Sequence, residues 1–300
     1  MFDIRSAAET ETGAALRLVF RCLPDDDRRN RVSVIEPLIR AGGEETPVLL
    51  VHISDGSVAG AILVQSLVGK AGALWPPQVD STVAGADRLE DELLQRAVEH
   101  LRTCGSIVIQ AVLSAEEESS ADVLISAGFT RPTELVYLKH DLNLSEGPIW
   151  QRRQLQLVPY AEDLTHQFHH VLANTYQQTQ DFPELNGRRT LEDILAGLKA
   201  TGFDASRAWL AFDSDAAAGV LVLNVASSGS WELAYVGIVP QLRGRGLGTE
   251  LVRHAIAATK KGGAHELILS VDVRNVPALR LYQSLEFEPF DRRAVYLLLD

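Results

Sequence analysis

The feature that most constrains the fold is that the chain ends the same way twice. Residues 126–141 read SAGFTRPTELVYLKHD and residues 284–300 read SLEFEPFDRRAVYLLLD, and the two align with one residue of slack. The same order of patterns precedes each ending. In the first half, TPVLLVHISDG and SVAGAILVQSLV predict a strand pair around Asp55-Gly56, a hairpin dipeptide. RLEDELLQRAVEHLRTCG follows, with Leu89, Leu93, Leu94, Ala97 and Leu101 at helical spacing and Gly105 as the stop. SIVIQAVL is a strand, ESSADVLISAGF a short helix ending at Gly128, and TELVYLKHDL a last strand. In the second half, RAWLAFDSDAAAGVLVLNVAS predicts two strands around a turn and SWELAYVGIV a third. GLGTELVRHAIAATKKGG is a helix with Lys260 and Lys261 in its last turn and two glycines after it. HELILSVDV, NVPALRLYQSLEF and RRAVYLLLD then give strand, short helix and strand. Alternation of this kind indicates α/β or α+β architecture. Two copies of one fold are expected, residues 1–147 and 148–300. Gly147-Pro148, within the polar run LNLSEGPIWQRRQ, breaks the pattern between them.

Composition narrows the function. Of 300 residues 46% are hydrophobic and 23% charged, enough apolar surface for ordinary cores. The net charge of -12 argues against nucleic acid as a partner, because phosphate neutralisation needs a basic face. The two cysteines, Cys22 and Cys104, make neither a disulfide framework nor zinc spacing. The first residues carry acids where a secretory leader is basic, and no apolar run approaches the roughly 18 residues of a membrane span. A cytoplasmic protein without a membrane partner is the expectation.

One loop concentrates glycine and positive charge at a helix start: VPQLRGRGLGTELV, with Gly244, Gly246 and Gly248. It lacks the lysine of a Walker loop, since Thr249 and Glu250 follow Gly248. Its spacing and late position do not suit a dinucleotide fingerprint. It does fit R-x-x-G-x-G after a strand, where bare N–H groups and the positive end of a helix dipole converge on a pyrophosphate. A glycine-rich turn that merely starts a helix is the competing reading, and the flanking sequence decides between them.

IVPQLRGRGLGTELV, a strand end, loop and helix, and VDVRNVPALRLYQSLEF further on together resemble motifs A and B of the GNAT superfamily, the Gcn5-related N-acetyltransferases. Asn275, Ala278, Tyr282 and Phe287 stand in register with motif B. The likeness is strong from about residue 155 to 300 and weak before. One departure is Glu286, where the family has glycine; at a helix end with φ > 0 a glutamate is strained. The resemblance implies tandem GNAT folds, each a mixed, mostly antiparallel twisted sheet flanked by helices. It also implies acetyl transfer from acetyl-CoA to the primary amine of a small molecule, with no metal.

On that resemblance, Arg243, Gly244, Arg245, Gly246, Leu247, Gly248 and Thr249 hold the pyrophosphate. Val236, Gly237 and Ile238 offer backbone to the pantetheine arm where neighbouring strands splay. Asn275 contacts that arm, though a helix N-cap ahead of Pro277 is an equally good use for it. Glu232 is the candidate base that deprotonates the ammonium, and Tyr282 the candidate acid for the leaving thiolate. Each has a plainer alternative: a salt bridge at a strand start for Glu232, packing for Tyr282. Both thiols lie in the first half, so a covalent acetyl-cysteine relay from within the second half is not open to it and direct attack is simpler.

Carried onto the first copy, Tyr282 falls on Leu124 and Asn275 on Glu117, nothing matches Glu232, and one central glycine, Gly85, remains. The first copy is expected to keep the fold and lack the chemistry. His166, His169 and His170 lie at helical spacing but lack an H-E-x-x-H pattern, so they are read as ordinary helix residues. In the polar segment NTYQQTQDFPELNGRR, Tyr176, Asp181 and Glu184 are candidates for holding a cationic amine; an ordinary solvated loop is the alternative. A peptide N-terminal acetyltransferase and a non-catalytic CoA-binding module are the competing functions.

Overall fold

Asp55 and Gly56 both take positive φ, 49° and 77°, and so reverse the chain between β2 (Val48–Ser54) and β3 (Ser57–Leu67) as the dipeptide predicts. The structure, a computed structural model, describes residues 2–43, 46–143, 155–227 and 229–300. The chain forms two compact units: Met1–Thr133 with Arg293–Asp300, and Glu134–Arg292.

The first unit adds β1 (Ile4–Ser6), α1 (Glu9–Val19), α2 (Asp25–Ala41), β4 (Ala71–Leu74), β5 (Gln78–Val79), α3 (Ala86–Thr103), β6 (Val108–Leu113) and α4 (Asp122–Ser126). Its sheet runs β1-β2-β3-β4-β6 and is completed by residues 294–299 of β13 (Glu288–Leu299), antiparallel to β6. Side chains on β3 alternate, as the two-residue strand period requires. Ile62 and Val64 pack with Leu89, Leu93 and Leu101 of α3, while Ala61 and Leu63 pack with Leu16 and Phe20 of α1.

The second unit repeats the plan. β7 (Thr130–Asp141), β8 (Leu155–Pro159), α5 (Thr165–Thr175), α6 (Leu191–Ala200), β9 (Ala208–Asp213), β10 (Ala216–Ser227), β11 (Ser230–Ile238), α7 (Leu247–Lys261), β12 (Glu266–Asp272) and α8 (Val276–Ser284) build a sheet in the order β7-β12-β11-β10-β9-β8. Among the described strands of this unit, β11 and β12 are the parallel pair. Leu221 and Leu223 of β10 meet Leu247, Leu251 and Val252 of α7; Val220 and Val222 meet Phe168, Val171 and Leu172 of α5. Each unit is thus a mixed, mostly antiparallel sheet flanked by helices.

The units differ from the sequence halves in one respect: each half's final strand completes the other unit's sheet. β7 pairs with β12 from Leu135 to Asp141, and β13 pairs with β6. Division by chain order at 147/148 cannot show this, because LVYLKHD and AVYLLLD carry near-identical apolar patterns and suit either edge. The linker around Gly147-Pro148 falls mostly in 144–154, outside the described residues.

Candidate functional site: a donor-lined loop above a splayed strand pair

β11 runs into a short 3-10 turn, Pro240–Leu242, and then into the glycine loop. Gly244 and Gly246 take φ of 76° and 81°, left-handed values that cost any side-chain-bearing residue roughly 1–2 kcal/mol. A Cβ at either position would meet no protein atom within 4 Å, so both face open space. Gly246 is the N-cap of α7, which buries Leu247, Leu251, Val252, Ala255 and Ile256 over fifteen residues. Among the described residues, no acceptor pairs with the backbone N–H groups of Gly244 through Thr249. Six consecutive free donors, the positive end of a long helix and the exposed Arg245 guanidinium form a ready anion cradle. Arg245 has one loose ion pair, 3.8 Å from Asp213. A pyrophosphate fits this donor set.

Arg243 does different work from its neighbours. Its guanidinium donates to four backbone carbonyls: Ile238 (3.0 Å), Gln178 (3.0 Å), Thr175 (2.9 Å) and Gln177 (2.8 Å). Three of these lie at or just past the C-terminus of α5, where carbonyls lack intrahelical partners. The side chain therefore anchors the α5 end to β11.

Below the loop, the parallel ladder between β11 and β12 covers only Ser230, Trp231 and Glu232. From residue 233 onward β11 has no β12 partner, while its other edge stays paired with β10. The register shift between Val222↔Tyr235 and Leu223↔Leu233 makes Ala234 the extra residue of a β-bulge, which bends the strand at the opening. Val236, Gly237 and Ile238 lie on this stretch of β11 that no β12 residue pairs with, and the Ile238 carbonyl is already taken by Arg243. Gly237 also lets α5 approach, since a Cβ there would stand 2.7 Å from Thr175 Cβ.

Glu232 sits where the two strands part. It is half-buried, and burial alone pushes its carboxyl above the ordinary range. Among the described residues it has no ion pair or hydrogen bond, so the salt bridge that the sequence left open is not formed. Tyr282, on α8, is buried with its ring 5.5 Å from Phe287. Burial, and then the Asp181 carboxylate, hold its hydroxyl well above the usual tyrosine range, so it stays protonated at neutral pH. Glu286 takes φ 61°, the strained helix end expected from the missing glycine.

Asn275 is the N-cap of α8: its Oδ1 accepts from Ala278 N–H at 3.2 Å, while its Nδ2 donates to Asp181 Oδ2 at 2.8 Å. Asp181 Oδ1 also accepts from the Asp272 N–H at 3.0 Å. Burial raises the Asp181 carboxyl above its usual range, against those two donors. Glu184 is held by Arg274 at 2.6 and 2.9 Å, and Arg274 also donates to the fully buried Asp272 at 2.7 Å. That bidentate pair lowers the Glu184 carboxyl. Both acids therefore fasten the 174–189 segment to the start of motif B. Tyr176 stacks at 5.2 Å on Tyr235, and burial pushes its hydroxyl up to about 12. Tyr235 in turn shares a 2.8 Å hydrogen bond with Thr175 Oγ1.

Three residues of this region carried no assignment from sequence. Tyr235 and Arg274 act through partners far away along the chain. Asn224 had one visible signal: it is the lone amide in the apolar run GVLVLNVA.

In the first unit the counterparts are filled. Leu124 is buried in the core, and Glu117 is paired with Arg31 at 2.9 Å and accepts from Ser114 N–H at 3.0 Å. The N-cap of α3 has one left-handed glycine, Gly85, whose Cβ would stand 3.8 Å from the Phe2 ring.

Among the described residues no cluster of three or more His, Cys, Asp or Glu could hold a metal, and no helix is long and apolar enough to cross a membrane.

Residues 167–287 match the Acetyltransferase (GNAT) family. A mycothiol acetyltransferase of Beutenbergia cavernae is 32% identical over 130 residues, 43% of this chain and 43% of that protein. The chain thus matches less than half the length of that relative. A solved GCN5-related N-acetyltransferase from Sphaerobacter thermophilus aligns at TM-score 0.68 and 19% identity, covering 99% of this chain and 95% of its own. A tandem GNAT protein from the clavulanic acid biosynthesis pathway aligns at TM-score 0.55 and 15% identity, covering 100% and 98%.

Proposed function

We propose that the second unit, whose residues 167–287 match the Acetyltransferase (GNAT) family, transfers acetyl from acetyl-CoA directly to the primary amine of a small molecule. The observation that carries this is spatial order along one strand. The unpaired donors of residues 244–249 lie beyond the end of β11, the unpartnered β11 edge follows, and Glu232 closes the opening. Acetyl-CoA supplies an acyl group already activated as a thioester.

The chain's residues divide the remaining work. The N–H groups from Gly244 to Thr249, with Arg245, neutralise the pyrophosphate. Val236 to Ile238 hold the arm by backbone pairing, which fixes its depth in the gap. Glu232, unpaired and raised by burial, removes a proton from the acceptor ammonium and frees its lone pair. Tyr282 donates a proton to the departing thiolate. Asn275, bound to both Ala278 and Asp181, orders the α8 start and the 174–189 segment on the acceptor side. The filled counterparts in the first unit support a single productive centre, with residues 1–147 as a supporting copy and 148–300 carrying the active residues.

The test is thiol release from acetyl-CoA with a panel of small primary amines, mycothiol-related ones among them, and peptide N-termini alongside. Release with a small amine, lost in Glu232→Gln, is expected. Release only with peptides would overturn the substrate class, and none with any amine despite cofactor binding would leave a binding module.

A further inference from the structure

Asn224 is the one amide side chain of β10, and only 2% of it is exposed. Its Nδ2 donates to Thr201 O (3.0 Å) and Thr201 Oγ1 (3.3 Å) at the end of α6. Those two bonds fix the orientation of the amide. Its Oδ1 is then left buried without a donor. Residues 220, 222 and 224 share one face of β10, the face that packs against α5.

Directly across the ladder from Asn224 stands Glu232. Opposed residues of an antiparallel pair have Cβ atoms about 4.5–5.5 Å apart and share a face. Glu232 also lacks a donor. Among the described residues, none of the charged groups on the surrounding elements pairs with Glu232. His166 and His169 of α5 interact with each other, and Lys199 and Glu192 of α6 act on His169. Asp204 and Arg207, before β9, pair together; Arg207 also lies over Trp231; and Glu266 of β12 is bound by Ser230. None of them shifts Glu232. Two acceptors therefore stand at opposed ladder positions, and among the described residues neither has a hydrogen-bond donor. The arrangement suits a carboxylic acid and disfavours a carboxylate.

We propose that Asn224 is a positioning residue for Glu232: when Glu232 takes the acceptor's proton, the new O–H donates to Asn224 Oδ1. The inference rests on the reading of Glu232 as the base. In the step an ammonium N–H bond breaks, its electron pair stays on nitrogen as the nucleophile, and an O–H bond forms on Glu232. The carboxyl later returns that proton to water. Thr201 keeps the amide turned so that oxygen, and not NH₂, faces the carboxyl. An NH₂ there would stabilise the carboxylate and make it a weaker base.

The experiment is a carbon-13 carboxyl titration of Glu232 in the full chain, with Glu232→Gln identifying the resonance. Asn224→Leu fills the space and removes the acceptor; Asn224→Ala removes it and admits water. One neutral hydrogen bond to the acid form is worth about three- to tenfold in an ionisation constant. In the leucine variant Glu232 should ionise that much more readily, although its neighbour has become more apolar. The acid limb of kcat/KM should move to lower pH by the same amount. Glu232 titrating at or above its wild-type pH in Asn224→Leu overturns the proposal. Should the leucine variant not fold, the alanine variant is judged by the same criterion. The titration needs neither acceptor nor acetyl-CoA, so it tests the pair, whereas the Glu232→Gln rate tests the base.

Discussion

Arg243→Ala separates two jobs that the sequence assigns to one loop. The guanidinium makes four hydrogen bonds, all to backbone carbonyls. Two acceptors, on Gln177 and Gln178, belong to exposed residues, and water replaces those bonds at little cost. The other two belong to Thr175 and Ile238, 3% and 8% exposed. A hydrogen bond to a charged group nets about 1.5–3 kcal/mol, and the cation also faces the negative end of α5, worth about 0.3–1 kcal/mol. Because the arginine is itself exposed, the lower ends of these ranges apply, and their partial overlap brings the expected loss to about 2–3 kcal/mol. Urea unfolding followed by circular dichroism should show that loss with an unchanged m-value. Calorimetry should find CoA affinity within about threefold of wild type, since residues 244–249 keep their free N–H groups. Arg245→Ala should do the reverse, weakening CoA in a salt-dependent way and leaving stability unchanged. If Arg243→Ala keeps full stability and loses CoA affinity tenfold or more, the guanidinium serves the phosphates and the anchoring argument fails.

Gly246→Glu should abolish CoA binding while the protein stays folded, because a carboxylate would occupy the anion cradle; wild-type affinity by calorimetry would rule the cradle out. Tyr282→Phe should lower kcat about a hundredfold at unchanged cofactor affinity, since the ring contact with Phe287 survives and only the proton donor is lost; a kcat within about twofold would make it a packing residue. The Glu184 carboxyl is lowered by Arg274, so its hold on the 174–189 segment is complete above the ordinary carboxylate pKa of about 4.3 and is lost as pH falls through the lower folded value. Protection of the 181, 182, 184 and 185 amides relative to their intrinsic exchange rates should therefore fall only in acid, and an equal fall in Glu184→Gln at neutral pH would confirm the pair as the clamp.

What the sequence made legible was whatever carries its own local signal. Gly246 and Leu247 mark the start of α7, Asp55-Gly56 marks its hairpin, and Glu286 at φ 61° is the strained helix end that a missing glycine foretells. Less visible were interactions whose second partner has no residue type. Arg243 binds four carbonyls, and a carbonyl looks the same at every position. Asn224 was visible as an intruder in an apolar strand, yet its counterpart, Glu232, could be named only once the β10–β11 register was known. The sequence offers Asp181 and Glu184 as candidates for holding a cationic amine, and it cannot display their contacts with Asn275, Asp272 and Arg274, some ninety positions away.

The exchange of final strands has a consequence for how such a chain comes into being. The first unit needs Arg293–Asp300 along β6, and those residues are synthesised after all of Glu134–Arg292. At about 5–20 residues per second, the ribosome leaves β6 an open edge for on the order of ten to thirty seconds after Thr133 has been made. Unpaired edges of that kind attract other strands. The nearest strand with the right pattern is β7, the copy's own ending, which must be kept from closing the wrong ladder until β12 claims it. The two halves thus mature together and not in series. A cut between them in the gene would not yield two working pieces, because each would carry the other's closing strand.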